Sequence, residues 1–480
     1  MRRDRRLPGL LAACALAVAA CQSAPPPPPD PKLPAAEVFE EAKPAVVLVE
    51  TVASVTWSVP QPEIDKKKQG QLNDRLAALV RSGSVAPTQA AFNRAALQIV
   101  TDDPDAWYTL TGPRSEYTDT DYLTGTGFFV TEDGYLLTNA HVVRASEDEI
   151  KQMLIAGVRS QAAGRAFLQT VRDGLSRAFE TPVSDEQAGK LAQWLATAYA
   201  SNLQVLSVSP SYRIGFGSHS PRELRDQGVP VRVVAQGDSV PGKDVAVLKA
   251  DGGPFVTLPL ARQPPARGAH LDVVGYPCGC RDPEEADPDR TLVPTLTEGS
   301  AQVELPMPGG WRATGTDAAM QHGNSGGPVL DATGHVVGLA TFRDVWAAGL
   351  SSQASNFIVP VDVAREFTDQ AGVRPNQGPL GRKYAQAVVE YDHRHYRAAL
   401  PLFEQVAGAE RQNPYVAAYV DQSRAAIAAG RDRTPPPPPG YVAWLTRYGA
   451  FLLLALWLLG MGTAAVLVLR TLTRAATSRR

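Results

Sequence analysis

Cysteine is scarce in this 480-residue chain, which has four. Cys14 lies in an N-terminal apolar run and Cys21 follows it, so Cys278 and Cys280 remain for the folded part. Two cysteines separated by one residue form either a small, strained and labile disulfide or a pair of free loop thiols. Their loop offers too few ligands for a metal site. No metal or organic cofactor is implied anywhere in the sequence.

Net charge is also small, because 47 Lys and Arg residues face 49 Asp and Glu residues. Nothing in this balance indicates a nucleic-acid partner, which requires a basic surface. Proline, in contrast, is abundant, with 40 residues that cluster and mark linkers. The length alone predicts two to four domains.

The N-terminus has the pattern of a targeting segment. Basic MRRDRR precedes an apolar run from Leu7 to Ala20, which is too short to span a bilayer comfortably. Residues 1–20 therefore indicate a signal peptide. Residues 21–36 form a Pro-rich linker, whose polyproline stretch is a stiff spacer.

A membrane anchor is predicted at the other end. A second Pro-rich linker covers residues 433–444, and the run at 449–469 has no charged residue. That run is long enough for a transmembrane helix, which we place at 445–470. Four arginines and no acid follow from Arg470 onward, so the tail at 471–480 is expected in the cytoplasm.

The segment QHGNSGGPV, from Gln321 to Val329, has the pattern of a nucleophile on a glycine-flanked turn. Such a turn directs backbone N–H groups beside the Ser325 hydroxyl, where an acyl-transfer oxyanion needs donors. The motif is short and needs partners, because a serine hydroxyl is a weak nucleophile without a base.

Those partners occur upstream. Among seven histidines, His141 follows two predicted strands joined by a hairpin turn, and Asp244 opens the strand DVAVLK. The order His141, Asp244, Ser325 is that of the serine proteases with a double barrel. His322 is a rival base, but it lies three positions before Ser325 and is interpreted as a rim residue.

Five ordered motifs across residues 37–370 resemble trypsin-like serine proteases of the bacterial HtrA/Deg kind: GTGFFVTEDGYLLTNAHVV, DVAVLK, VVGYP, TDAAMQHGNSGGPV, and GLATF with NFIVPVDVA. The resemblance implies a mainly β fold, a chymotrypsin-like double β-barrel of two six-stranded barrels with the triad at their interface. It also implies that Gly323 and Ser325 supply the oxyanion N–H groups. Thr341 and Phe342 would line the primary specificity pocket.

The chain departs from that family at three points. His141 and Asp244 are 103 positions apart, and helical periodicity predicts a helical hairpin inserted at 146–203. A second helical insertion is expected near 55–120, as either a regulatory loop or a solvated one. Asn324 stands where digestive trypsins have Asp, so activation by a newly cut N-terminus is not expected. No PDZ-like stretch follows the protease region.

Two further resemblances concern the ends. The segment ending in Cys21 resembles a bacterial lipobox, which implies a lipid on Cys21; the alternative is an ordinary signal peptide. Within the helical segment 377–432, the stretch from Tyr391 to Val406 resembles half of a tetratricopeptide unit. Its apolar face packs on a neighbouring helix or binds a protein partner through residues 384–430, and a plain helical hairpin is the alternative.

Together these features predict a serine endopeptidase at a bacterial cell membrane, with its catalytic domain periplasmic or extracellular and its C-terminus cytoplasmic. Its substrates would be proteins or peptides, and the resemblance implies a role in envelope quality control or signalling. One alternative is a catalytically idle trypsin-like scaffold that binds partners through its helical segments. Another is an adaptor in which the tetratricopeptide-like segment is primary.

Overall fold

A computed structural model describes residues 32–144, 147–162, 164–217, 219–278, 289–341, 356–411 and 413–436, with Tyr448 and Phe451. The predicted signal peptide, Cys21, most of both Pro-rich linkers, nearly all of the predicted transmembrane helix and the C-terminal tail lie outside these residues. Among the described residues, none of the helices combines the length and apolar character that crossing a membrane requires.

Two closed six-stranded antiparallel barrels form the centre of the described chain. The first has the order β1-β2-β3-β6-β5-β4, with β1 (Val46–Pro60), β2 (Arg114–Phe129), β3 (Tyr135–Thr138), β4 (Gln204–Phe216), β5 (Val229–Gln236) and β6 (Ala246–Ala250). The second has the order β10-β11-β12-β9-β8-β7, with β7 (His270–Gly275), β8 (Thr295–Pro306), β9 (Arg312–Thr316), β10 (Pro328–Leu330), β11 (Val336–Ala340) and β12 (Asn356–Pro360). The predicted mainly β fold with two barrels is confirmed.

The helices of the described residues lie before, between and after these strands. In chain order they are α1 (Ala35–Ala42), α2 (Lys66–Arg81), α3 (Gln89–Asp102), α4 (Pro104–Trp107), α5 (Ala140–Val143), α6 (Glu147–Ala162), α7 (Arg165–Phe179), α8 (Asp185–Asn202), α9 (Pro221–Gln227), α10 (Val361–Gln370), α11 (Pro379–Asp392), α12 (Tyr396–Ala409) and α13 (Pro414–Ala428).

Three strands of the first barrel extend well beyond it. β1 pairs with β2 as far as Pro60 and Arg114, and with β4 as far as Ser58 and Gln204. The prediction of an insertion throughout residues 55–120 is therefore wrong at both ends, and only α2 to α4 are helical there. The alternating β-branched pattern of VASVTWSV continues the strand, because such residues fit a pleated surface.

The insertion after His141 has three helices, α6 to α8, where a hairpin of two is predicted. Gly164 caps the start of α7, and the Ser184–Gln187 capping box predicted for α8 is present. Ile150 and Leu154 of α6 pack on Val55 of the extended β1. These helices therefore cover the apolar face of the strand extension.

The C-terminal helices pack on the barrels. Tyr384, Phe403 and Tyr419, from α11, α12 and α13, belong to the same buried cluster as Val256 and Leu258 of the barrels. The apolar face of this segment is thus covered by its own chain. Its likeness to a tetratricopeptide unit stays a prediction.

Glu410, at the end of α12, connects this segment to the barrels. Its Oε2 accepts a 3.0 Å hydrogen bond from the backbone N–H of Val256, and the side chain is 4% exposed. Burial disfavours the charged carboxylate and raises the pKa of Glu410 to about 8, although hydrogen bonds from Val256 and Asn413 act in the opposite direction.

This carboxyl predicts a pH-dependent stability. Between about 4.5 and about 8 the folded state keeps the Glu410 proton that the unfolded state releases, so the free energy of unfolding falls as pH rises through that window. Glu410→Gln should make this fall shallower in urea unfolding at pH 5, 6.5 and 8. The exposed Glu404, also in α12, provides the control, and Glu404→Gln should leave the slope unchanged. Equal slopes in the wild type and Glu410→Gln would contradict the assignment.

Candidate active site

His141 lies in the one-turn helix α5, directly after β3 of the first barrel. The Thr51 hydroxyl of β1 donates a 2.7 Å hydrogen bond to the Val142 carbonyl and holds this turn on the barrel. The His141 side chain is 24% exposed, so one edge of the ring reaches solvent. Position and exposure suit a group that meets a substrate.

Asp244 is completely buried beside His141. Its Oδ2 lies 2.7 Å from His141 Nδ1, and its Oδ1 accepts a 3.0 Å bond from the His141 backbone N–H. The Thr341 hydroxyl, from the second barrel, donates to Oδ2 at 2.8 Å. The Asn139 side-chain amide donates to the Asp244 backbone carbonyl at 2.7 Å. The carboxylate is therefore contacted from both barrels.

The ionisation of Asp244 follows from these contacts. Burial raises the pKa of a carboxyl, but the charge and hydrogen bonds of His141, with the Thr341 hydroxyl, lower it further than burial raises it. The net pKa of Asp244 is below its ordinary value. A charged Asp244 can orient the His141 ring and stabilise its protonated form.

Gly323 shapes the turn before Ser325. Its φ is +96°, in the left-handed region that favours glycine, and a Cβ there would clash with the Tyr276 carbonyl. The adjacent His322 carbonyl accepts a 2.8 Å bond from the Cys278 backbone N–H. The turn is thereby held against the end of β7.

Gly326 brings the other side of the turn against the first barrel. Its φ is +84°, and a Cβ would meet the Thr126 carbonyl and the Asn139 backbone nitrogen. Asn139 lies two residues before His141, so this contact brings Ser325 beside the segment that carries His141. Ser325 is 8% exposed.

Thr126 links the two barrels at the same place. Its hydroxyl donates to the Gly323 carbonyl at 2.7 Å and accepts from the Tyr276 N–H at 2.9 Å, while its own N–H donates to the Ser325 carbonyl at 2.8 Å. The sequence reasoning did not single out Thr126. The signal is its place between Gly125 and Gly127 in GTGFF, since small neighbours permit this close approach.

Other predicted residues have the following places. Thr341 was assigned to a specificity pocket, but its hydroxyl is directed at Asp244; Phe342 lies outside the described residues. His322 is exposed at the rim of the turn, as expected. Cys278 is disulfide-bonded, with its partner outside the described residues, and Asn324 is buried as a neutral side chain that needs no counter-ion.

Comparison with known proteins agrees with this site. A family model for the trypsin-like peptidase domain matches residues 125–339. A probable periplasmic DegP-like serine endoprotease of Rhizobium meliloti is 29% identical over 269 residues, 56% of this chain and 37% of that protein. The same kind of protein from Halomonas elongata is 24% identical over 267 residues, 55% of this chain and 38% of that protein.

The chain thus spans less than two fifths of the length of these curated relatives. The crystal structure of the serine endoprotease from Yersinia pestis aligns with 71% of this chain and 68% of its own, at 14% identity. Its TM-score of 0.32 is too low to support an argument about the fold. The family model and the two relatives support a trypsin-like serine protease domain in this chain.

Proposed function

We propose that this chain is a membrane-anchored, extracytoplasmic serine endopeptidase. The observation that carries the proposal is the buried Asp244 carboxylate on His141, with the Ser325 turn packed against the segment that holds them. A base with a fixed orientation beside a serine on a glycine turn is the arrangement that acyl transfer requires.

In the proposed reaction the Ser325 hydroxyl attacks a peptide carbonyl and His141 accepts the hydroxyl proton. Asp244 holds the His141 ring in one tautomer and stabilises its charged form. The Gly323 and Ser325 N–H groups bind the oxyanion of the tetrahedral intermediate. His141 then protonates the leaving amine, and water hydrolyses the acyl-enzyme.

Substrate and location are inferred from the relatives and the sequence. The relatives are described as probable periplasmic serine endoproteases, which supports protein substrates outside the cytoplasm. The predicted signal peptide, the lipid on Cys21 and the helix at 445–470 would hold the domain at the membrane surface. A role in envelope quality control or signalling fits that place.

The first test is the hydrolysis of an unfolded protein such as casein by the purified protein. Ser325→Ala and His141→Ala should each reduce the rate by about 10³-fold or more, the size typical of removing one member of a triad. His322→Ala, which removes the exposed rival base, should keep the rate within a few fold. An active Ser325→Ala variant would place the nucleophile elsewhere.

A second test concerns Thr126. Thr126→Val keeps the side-chain shape but removes the hydroxyl that joins Tyr276 to Gly323. Misplacing the oxyanion donors acts on the transition state, so kcat should fall about tenfold, equal to roughly one lost hydrogen bond, with KM nearly unchanged. Thr126→Ser should restore kcat. A fall in stability with unchanged kcat would show that the link is merely structural.

A third test concerns the membrane. A spanning helix is effectively irreversible, whereas one acyl chain binds marginally, so the helix should dominate retention. Cys21→Ser should stay in the membrane fraction after carbonate extraction, and alkaline phosphatase fused after Arg480 should be inactive. A chain that ends at Val442 should be retained by lipid alone, if lipid is added. An active fusion would reverse the proposed orientation.

A further inference from the structure

A cluster of metal-ligating side chains lies on the outer face of the second barrel. His270 and Asp272 are two positions apart on β7, so they share a face, and Asp272 is directly opposite Glu298 of β8. The intervening Leu271 and the following Val273 point into the barrel core. The strand register therefore brings one imidazole and two carboxylates together away from the proposed triad.

The spacing of these groups suits one small cation. His270 Nε2 lies 3.1 Å from Asp272 Oδ1 and 3.9 Å from Glu298 Oε2, and one ligand atom from each residue lies within 4.8 Å of the others. Four ligands placed tetrahedrally at about 2.1 Å from zinc are roughly 3.4 Å from one another. The two measured distances bracket that value.

Asp272 supplies a second, independent observation. Its side chain is 1% exposed, and Oδ2 has no hydrogen-bond partner among the described residues. A buried carboxylate oxygen without a partner is costly, so such atoms are normally hydrogen-bonded or bound to a metal. A cation held between Asp272, His270 and Glu298 would provide the missing positive charge.

The other two groups leave the site open to solvent. The His270 side chain is 43% exposed and that of Glu298 is 60% exposed, so an ion can enter and water can complete its coordination. A neutral imidazole with two carboxylates suits zinc and other first-row divalent metals. Calcium and magnesium prefer ligand sets made only of oxygen.

We propose that His270, Asp272 and Glu298 bind one divalent transition-metal ion, with zinc as the best fit, and that water fills the remaining position. The ion joins β7 to β8. On its other side β7 pairs with β10, where Asp272 is opposite Leu330, five residues after Ser325. Metal binding is therefore expected to stabilise the barrel that carries the proposed nucleophile.

The test is calorimetric titration of zinc into the metal-free full chain carrying Ser325→Ala, which prevents self-cleavage. We expect one equivalent to bind and to raise Tm by at least about 2 °C. Zinc-edge absorption should show nitrogen and oxygen ligands near 2.0–2.1 Å and no sulfur, which excludes cysteine ligation. Calcium and magnesium should not compete.

Two exposed positions make matched variants possible, and the buried Asp272 can be left intact. His270→Gln and Glu298→Gln should each weaken zinc binding at least tenfold while the metal-free Tm changes little. His395→Gln removes another histidine paired with a carboxylate, Glu390, and should bind zinc as the parent does. Absence of binding in the parent, equal affinity in His270→Gln and Glu298→Gln, or a preference for calcium would overturn the proposal.

Discussion

The buried charge of Asp244 is the constraint on which the arrangement of the site depends. A carboxylate without solvent must find hydrogen-bond donors, because an unpaired buried charge is very costly. Here the donors come from His141 in the first barrel and from Thr341 in the second. The requirement therefore fixes the imidazole and, at the same time, joins the two barrels.

Thr126 acts on the opposite side of the same junction. Its hydroxyl and N–H contact Gly323, Tyr276 and Ser325, all in the second barrel. With Asp244 it gives the junction two sets of directional contacts. The nucleophile turn is thus positioned by the first barrel as well as by the strands that flank it.

The parts of the fold that local sequence determines were predictable. The turn around Ser325, the strand pair before His141 and the strand after Asp244 each have their signal in adjacent residues, and the twofold barrel count followed from the family resemblance. The length of β1 was underestimated, because Thr and Ser positions after Val49 were taken as loop although alternation continues to Pro60. The third helix of the insertion was missed because Gly164 interrupts one apparent pattern.

Contacts that depend on register or on inter-barrel packing were out of reach. The Thr341 hydroxyl meets Asp244 across 97 positions, and Glu298 meets Asp272 only because β7 and β8 pair in that register. No spacing rule links such residues. The same holds for Glu410, whose partner Val256 lies 154 positions away.

The helical segments also change the view of possible partners. The apolar faces of α11 to α13 are covered by the barrels, as those of α6 and α8 are by the strand extension. A partner at residues 384–430 would therefore meet the exposed, mainly polar side of these helices. Such a surface favours weaker and more salt-dependent contacts than an apolar groove.

The central claim is that Asp244 and His141 activate Ser325 as a nucleophile. The most direct measurement is the reaction of the intact protein with a fluorophosphonate, followed by mass-spectrometric mapping of the adduct. The account predicts one phosphonylated residue, Ser325, and a labelling rate that falls by orders of magnitude in Asp244→Asn. Labelling at another residue, or an undiminished rate in Asp244→Asn, would contradict it.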